Sequence, residues 1–490
     1  VAFSKTPTQD TYDTKRFPLV GMPQQRSGTA SSKDQRFLNC FTEQILSRVT
    51  EAKKYYLKKR DGLKRVNSPA AGVARGCIYE DTTNQMYFVV GTTLYAYNGV
   101  SLTSIQTGIA DSPNAVGFTI HLTTSVSVIL LTGSTGWVIN PVANTATQIT
   151  DADFPTPHLP FPVSMDGYLF VAKAATADVY NSDLDNALAW TPGNFITAEM
   201  YPDNIVCLTK NNNYVVVVGS GSVEFFYDLG NATGSPLQRN ESAVQQFGTP
   251  APLTVVQTEK EVMMVGTTQN GGRSVWVIDG FKPEEVSTEA VINSLNDEGD
   301  QLSLANAYCI RSSGHKFYVL RLASSGRTWV YDFESKLWSE WSSTDGSGNQ
   351  VVFVGKFACD SNKGFPYMLG NESNAAIYLL DDQTYQDDGR SIKTQVTTLK
   401  LDFDNMNRKD MSRASVYGDW PLSGDSSLTL EWTDDDYRTW SNPRTIQLST
   451  YLPVTRRLGK FRRRAFRLTH TDNTPMRLEG MEVNINNGAS

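Results

Sequence analysis

Short apolar runs alternate with tight polar turns over most of this chain. Gly76-Cys-Ile-Tyr79, Met86-Tyr-Phe-Val-Val90 and Thr93-Leu-Tyr-Ala-Tyr97 read as three strands of one unit. The same rhythm returns over 116–150, 162–200, 205–246, 253–287, 308–341 and 351–380. Each unit holds strands of about five residues rich in Val, Tyr, Phe and Trp, broken by Gly, Asn, Asp or Ser. A recurrence of ~40–45 residues with about four strands is the pattern of a β-propeller. The pattern therefore predicts an all-β chain with a propeller of about seven blades, or six, over 66–385. An ordinary β-sandwich is the competing reading. Helical periodicity is almost absent after Lys64. In the hairpin Trp329–Phe333 and Leu337–Trp341 the aromatics alternate sides, as packing between neighbouring blades requires.

The ends differ from the middle. Asp34–Glu43 is followed by Glu51–Leu63, which reads as a strand closing in a Gly turn at Gly62. Beyond about Ile392 the chain is again all strands: Val396–Phe403, Ser412–Tyr417 and Ser427–Trp432. The expected organisation is a platform module in two parts, 1–65 and 386–490. It would form a β-sandwich-like end unit into which the propeller is inserted. The first ~30 residues, polar and holding Pro, Gln, Ser and Thr, predict an extended arm.

At 490 residues the chain exceeds what one core supports, so several domains are expected. A mean hydropathy of −0.34 and the short apolar runs predict no membrane span, which needs ~20 apolar residues. The N-terminus lacks a secretory core, and the missing Met predicts removal of the initiator. A net charge of −7 argues against bulk attraction to nucleic acid. The five cysteines (Cys40, Cys77, Cys207, Cys309 and Cys359), scattered without a CxxC pair, predict reduced structural thiols. The sequons at Asn231, Asn240 and Asn371 carry no weight without a secretory route.

Two C-terminal motifs stand out. Thr433-Asp-Asp-Asp-Tyr-Arg-Thr-Trp440 is similar to the Asp box of sialidases and other propellers, a structural hairpin turn. Asp435 would accept from backbone amides, with Thr439 beside it and Trp440 packed beneath. Tyr437 replaces the usual Gly, so a different turn shape is expected. The second motif is a basic run: Arg456, Arg457, Lys460, Arg462, Arg463, Arg464 and Arg467. Read as one strand, it puts Arg462 and Arg464 on one face and Arg463 on the other. Three uses compete: pairing with carboxylates at a subunit or domain interface, contact with DNA phosphates, or a solvated edge.

No metal, cofactor or catalytic set is predicted. His121, His158, His315 and His470 lack metal-site spacing. Gly219-Ser-Gly221 lacks the Lys of a phosphate loop and reads as a hairpin turn. The acidic pairs Asp381-Asp382 and Asp387-Asp388 could hold calcium but lack an EF-hand pattern, and read as solvated loops.

The order of these pieces resembles the tail-hub (nozzle, or packaged-DNA stabilisation) proteins of short-tailed phages. There, a Ser-Asp-Asp-Gly-Gly-Arg-Thr-Trp-Ser turn precedes an Arg-rich strand containing Arg-Leu-Gly, here Arg457-Leu-Gly459. The family's Asn-x-Tyr-x-Glu motif matches Asn39–Glu43, with Phe41 for Tyr. Its Arg-Pro-Gly-Leu matches Arg60–Leu63, with Asp61 for Pro. Comparable pieces follow at Asp203–Gly230, Gln246–Pro252 and Trp276–Thr288. The resemblance implies a virion tail protein without enzymatic activity, assembled in the host cytoplasm. It implies a ring of six copies bound to a head-to-tail adaptor and to needle, fibre or spike proteins. DNA would be retained by that ring and would pass through its channel without sequence-specific contacts. The rival classes are a propeller glycosidase and a receptor-binding module acting on host polysaccharide. The glycosidase would need paired carboxylates about the scissile bond.

Overall fold

The computed structural model describes residues 12–20, 36–46, 53–69, 71–231, 233–268, 270–362, 364–370, 375–419 and 425–487. Most of the expected N-terminal arm and the sequon Asn371 lie outside the described residues. The chain forms two compact units. The propeller unit is 63–336 and 352–382, and the end unit is 1–62, 337–351 and 383–490.

Among the described residues the propeller unit has seven sheets. Their innermost strands are Ala74–Glu80, Gly117–Leu122, Val163–Met165, Ile205–Asn211, Val256–Gln257, Asn306–Ser312 and Phe357–Cys359. Each neighbours the next, and the last neighbours the first, so the sheets close a circle. The closing sheet borrows a strand from the start of the unit: Gly62–Asn67 lies beside Ile377–Asp381. The remaining partners within each sheet are antiparallel and joined by hairpins, as in Met86–Val90, Thr93–Tyr97 and Leu102–Thr107.

Burial explains the composition of the repeats. The second strands, such as Met86–Val90 and Val215–Gly219, are buried along their length because both faces meet neighbouring blades. Outer strands such as Thr145–Gln148 and Lys282–Glu285 are largely exposed and polar. Between the first two blades Tyr87, Val89 and Leu94 pack with Val128, Leu130 and Ile139. Between the fourth and fifth, Val216, Val218 and Phe225 pack with Val262, Met264 and Ile278. Each such side chain, fully removed from water, contributes roughly 1.5–3 kcal/mol. No blade can bury both faces alone.

A carboxylate placed before a blade repeatedly caps that blade's turn. Asp111 accepts from Thr132 Oγ1 (2.7 Å), the Gly133 amide (2.9 Å) and Ser134 Oγ (2.7 Å). Asp203 does the same for the Gly221 amide (2.7 Å) and Ser222 Oγ (3.0 Å). Glu298 accepts from the Ser324 and Ser325 amides at 2.7 and 2.8 Å. Gly219-Ser-Gly221 is a hairpin turn, closed by the Gly219 amide on the Ser222 carbonyl. Helix is nearly absent after Lys64 among the described residues, as expected. Glu289–Asp297 is an α-helix, held by Val291 and Leu295, one turn apart on its buried side.

The end unit is a two-sheet sandwich. One sheet carries Cys40–Leu46, Lys53–Lys59, Arg477–Asn487, Lys409–Asp419 and Val454–Phe461 in that order, with Asp13–Pro18 also on Arg477–Asn487. The other runs Leu337–Thr344, Arg36–Leu38, Thr394–Thr397, Ala465–His470, Ser427–Thr433 and Arg444–Gln447. Phe17, Leu57, Met411, Val416, Met481 and Val483 of the first meet Phe37, Leu430, Ile446, Phe466 and Leu468 of the second. The chain's beginning and end are zipped together, Asp13 opposite Ile485 and Pro18 opposite Gly480. Leu337–Val351 is grouped with the end unit. There Leu38 pairs in parallel with Glu340, and Arg36 forms an ion pair with that carboxylate.

Candidate functional site

The Asp-box turn links Ser427–Thr433 to Arg444–Gln447. Asp435 Oδ1 accepts from the Thr439 amide (3.0 Å), the Arg438 amide (3.2 Å) and Thr433 Oγ1 (2.8 Å). Its other oxygen accepts from Thr439 Oγ1 at 2.5 Å. These donors, the Thr439 hydroxyl first, hold the Asp435 carboxyl down to about 2. The carboxylate is spent on its own turn. Asp436 and Tyr437 both take positive φ, 62° and 64°. Tyr437 thus adopts the conformation normally left to Gly, and its hydroxyl donates to the Thr398 carbonyl at 2.9 Å. Trp440 lies against the Arg467 guanidinium, 4.0 Å from ring centroid to Cζ.

From Tyr437 to Thr471 the chain holds nine Lys or Arg and no Asp or Glu. This run is not one strand. Val454–Phe461 is the edge strand of its sheet, Arg462 and Arg463 form a turn, and Ala465–His470 enters the opposite sheet. Positive φ at Arg457 (61°) and Gly459 (78°), with a register shift opposite Met411 and Arg413, breaks the alternation. The turn at Arg462 and Arg463 ends that strand, so the predicted common face of Arg462 and Arg464 is absent.

Arg464 is 1% exposed and grips Asp434 with two parallel bonds of 2.8 Å. It also donates to the Leu458 carbonyl (2.8 Å) and lies 4.3 Å from the Phe461 ring. Such a group has no surface left for another subunit. Arg467 is similarly held by Glu431 through two 2.8 Å bonds. Arg456, Arg457, Lys460, Arg462 and Arg463 are exposed. Arg462 donates to the Met406 carbonyl at 2.8 Å, and Arg463 stands 3.7 Å from Asp436. Among the described residues, Arg456, Arg457 and Lys460 have no ion-pair partner. Tyr451 and Leu452, just before the strand, are exposed as well. The structure thus divides the run into two internal struts and an unneutralised sheet edge.

A buried polar cluster escaped the sequence reading. Arg60, 1% exposed, donates to both oxygens of Asp387 at 2.9 and 2.5 Å. It also donates to Asn39 Oδ1 (2.9 Å) and to the Ser342 and Asp61 carbonyls (each 3.0 Å). Asp387, expected in a solvated loop, is corrected to a buried anion, because Arg60 neutralises it. Asn39 adds bonds to the Lys393 carbonyl (2.9 Å) and Ser342 Oγ (3.1 Å). A Cβ on Gly62 would lie 2.4 Å from the Gln386 carbonyl, so only Gly fits there. The two N-terminal motifs thus form one knot tying together the three chain segments of the end unit. Lys59, beside it, is pushed down to about 7, by burial first and by Arg60 second.

His470 is buried, with Nε2 3.1 Å from Ser426 Oγ and 3.2 Å from Thr474 Oγ1. Burial first, and Lys59 second, push it from 6.5 down to about 4. The unfolded chain therefore binds this proton near pH 6.5 and the folded chain only near 4. Stability is full above 6.5 and falls as pH drops toward 4, by about 2 kcal/mol at pH 5 from this group. Urea unfolding at pH 7 and 5 checks this. H470Q should flatten that part of the pH dependence, and an unchanged slope would contradict the assignment.

Among the described residues no group of three His, Cys, Asp or Glu could hold a metal ion, and no helix is long and apolar enough to cross a membrane. Fold and site define a propeller protein whose charged clusters build turns, struts and an exposed edge. It belongs to the phage stabilisation family described as "Bacteriophage P22 Gp10, beta-propeller", whose model matches residues 25–385. The chain is therefore a phage structural protein. No curated protein sequence matches it. Among solved structures, the Myceliophteria thermophila Swd1 propeller domain is similar at 7% identity and TM-score 0.42, covering 65% of this chain and all of that one. The N-terminal domain of Nup159 gives 11% and 0.40, covering 70% and 99%. An extracellular domain of a putative hybrid two-component system from B. thetaiotaomicron gives 10% and 0.43, covering 69% and 45%.

Proposed function

We propose that this protein is the tail hub of a short-tailed phage: a ring of six copies attached below a head-to-tail adaptor, retaining packaged DNA and giving it a channel at ejection. The family match over residues 25–385 carries this reading. The order of the C-terminal turn and Arg-Leu-Gly strand supports it. Six copies would carry 6 × −7 = −42 charges, and a channel lined by that negative charge would offer a DNA duplex few cations that grip phosphate. Retention would be steric, by loops or a needle, fibre or spike protein. The hub would act mechanically, cleaving no bond.

The edge Val454–Phe461 with its turn is the candidate contact within the ring or with the adaptor. Arg456, Arg457, Lys460, Arg462 and Arg463 offer cations to a neighbour's carboxylates, and an edge strand offers free backbone groups. In negative stain, the purified chain mixed with its adaptor should give rings with a central channel. R456E/R457E/K460E should keep the monomer's unfolding midpoint and lose assembly at least tenfold. Strict monomers that ignore the adaptor would reject the hub reading. Normal assembly of the triple variant would reject only the contact.

A further inference from the structure

The propeller closes where its last blade meets its first. The innermost strands Phe357–Cys359 and Ala74–Glu80 are neighbours there. Tyr79 stacks on Tyr367 across the junction, ring centroids 6.1 Å apart. Asn362 bonds Asn84 Oδ1 at 2.6 Å and receives the Tyr79 hydroxyl at 3.3 Å. Cys77 and Cys359 both pack at the edge of this cluster, half-buried. One stands on each of the two neighbouring strands, and both side chains pack against the same cluster. The other three thiols stand elsewhere. Cys40 is buried in the end unit, Cys207 in the packing of the fourth and fifth blades, and Cys309 on the innermost strand of the sixth.

We propose that Cys77 and Cys359 are a disulfide-forming pair that fastens the propeller's closing junction when the protein leaves a reducing compartment. The oxidant is a small disulfide of the oxidised-glutathione class. One cysteine thiolate attacks it, giving a mixed disulfide and one released thiol. The second cysteine displaces the other thiol and forms the Cys77–Cys359 bond. Two protein thiols are oxidised, one disulfide is reduced to two thiols, and the protons appear on those thiols or in water. Cys359, raised well above the ordinary thiol range by the Cys77 side chain and by burial, makes the reaction slow at neutral pH and faster in alkali. The bond would span nearly the whole propeller sequence, so it would restrict the unfolded chain strongly. In the folded state the strands are already neighbours.

The test uses the full chain, purified reduced and then incubated with oxidised glutathione at pH 8. Thiol titration in denaturant should fall from five to three, and non-reduced peptide mapping should find the peptides of Cys77 and Cys359 joined. The urea midpoint should rise on oxidation. C77S and C359S should each keep four thiols after the same treatment and show no rise. Five remaining thiols, glutathione adducts without a cross-link, or a Cys309–Cys359 link would each overturn the proposal.

Discussion

Replacing Arg60 with Ala should destabilise the end unit by about 3–5 kcal/mol, the range for breaking a buried ion pair by removing one partner. Asp387 would stay behind 5% exposed, with its two guanidinium bonds gone. Asn39 Oδ1 and the Ser342 carbonyl would lose donors at the same time. An unpaired buried carboxylate costs more than the pair contributes, so D387N in the R60A background should recover part of the loss. R60K should not rescue fully, because one ammonium cannot replace a planar fork serving five acceptors. Equilibrium urea unfolding of the three variants measures this. A loss under about 1 kcal/mol for R60A would mean that the knot does not hold the unit together.

Arg464→Ala should cost about 2–4 kcal/mol, while Arg462→Ala two positions earlier should stay within about 0.5 kcal/mol. Arg464 loses the Asp434 fork, the Leu458 carbonyl and its place beside Phe461. Asp434 is 36% exposed on its side chain, so water takes up part of its charge and the cost falls below that at Arg60. Arg462 is exposed and gives up one bond to the Met406 carbonyl. The pair separates stability from assembly within one basic run. Unfolding midpoints report Arg464, and ring formation reports the exposed edge. Equal destabilisation by the two variants would contradict the division.

What the sequence determined by itself was local in origin. The blade rhythm is legible because each blade's strands are joined by short hairpins, so their apolar periods and turn residues lie within one stretch. The Asp435 turn is legible for the same reason: its donors, Thr433, Arg438 and Thr439, lie within four residues. The expectation of one end unit from the chain's two ends came from their contrast with the repeating middle, while the physical purpose of the Asn39–Glu43 and Arg60–Leu63 motifs stayed open. The tertiary structure decided that purpose, since Asn39 and Arg60 meet Ser342 and Asp387 only once three distant segments converge. It gave Leu337–Thr344 a parallel partner in Arg36–Leu38, about 300 residues away in the chain, which sequence neighbourhood does not announce. It sent Arg464 inward and left Arg462 outside, because the chain turns at Arg462 and Arg463 and passes from one sheet to the other, which no local pattern announces. And it brought Cys77 and Cys359 to one cluster, since a circle of blades must bring its first and last strands together, and which side chains gather there depends on how the circle closes.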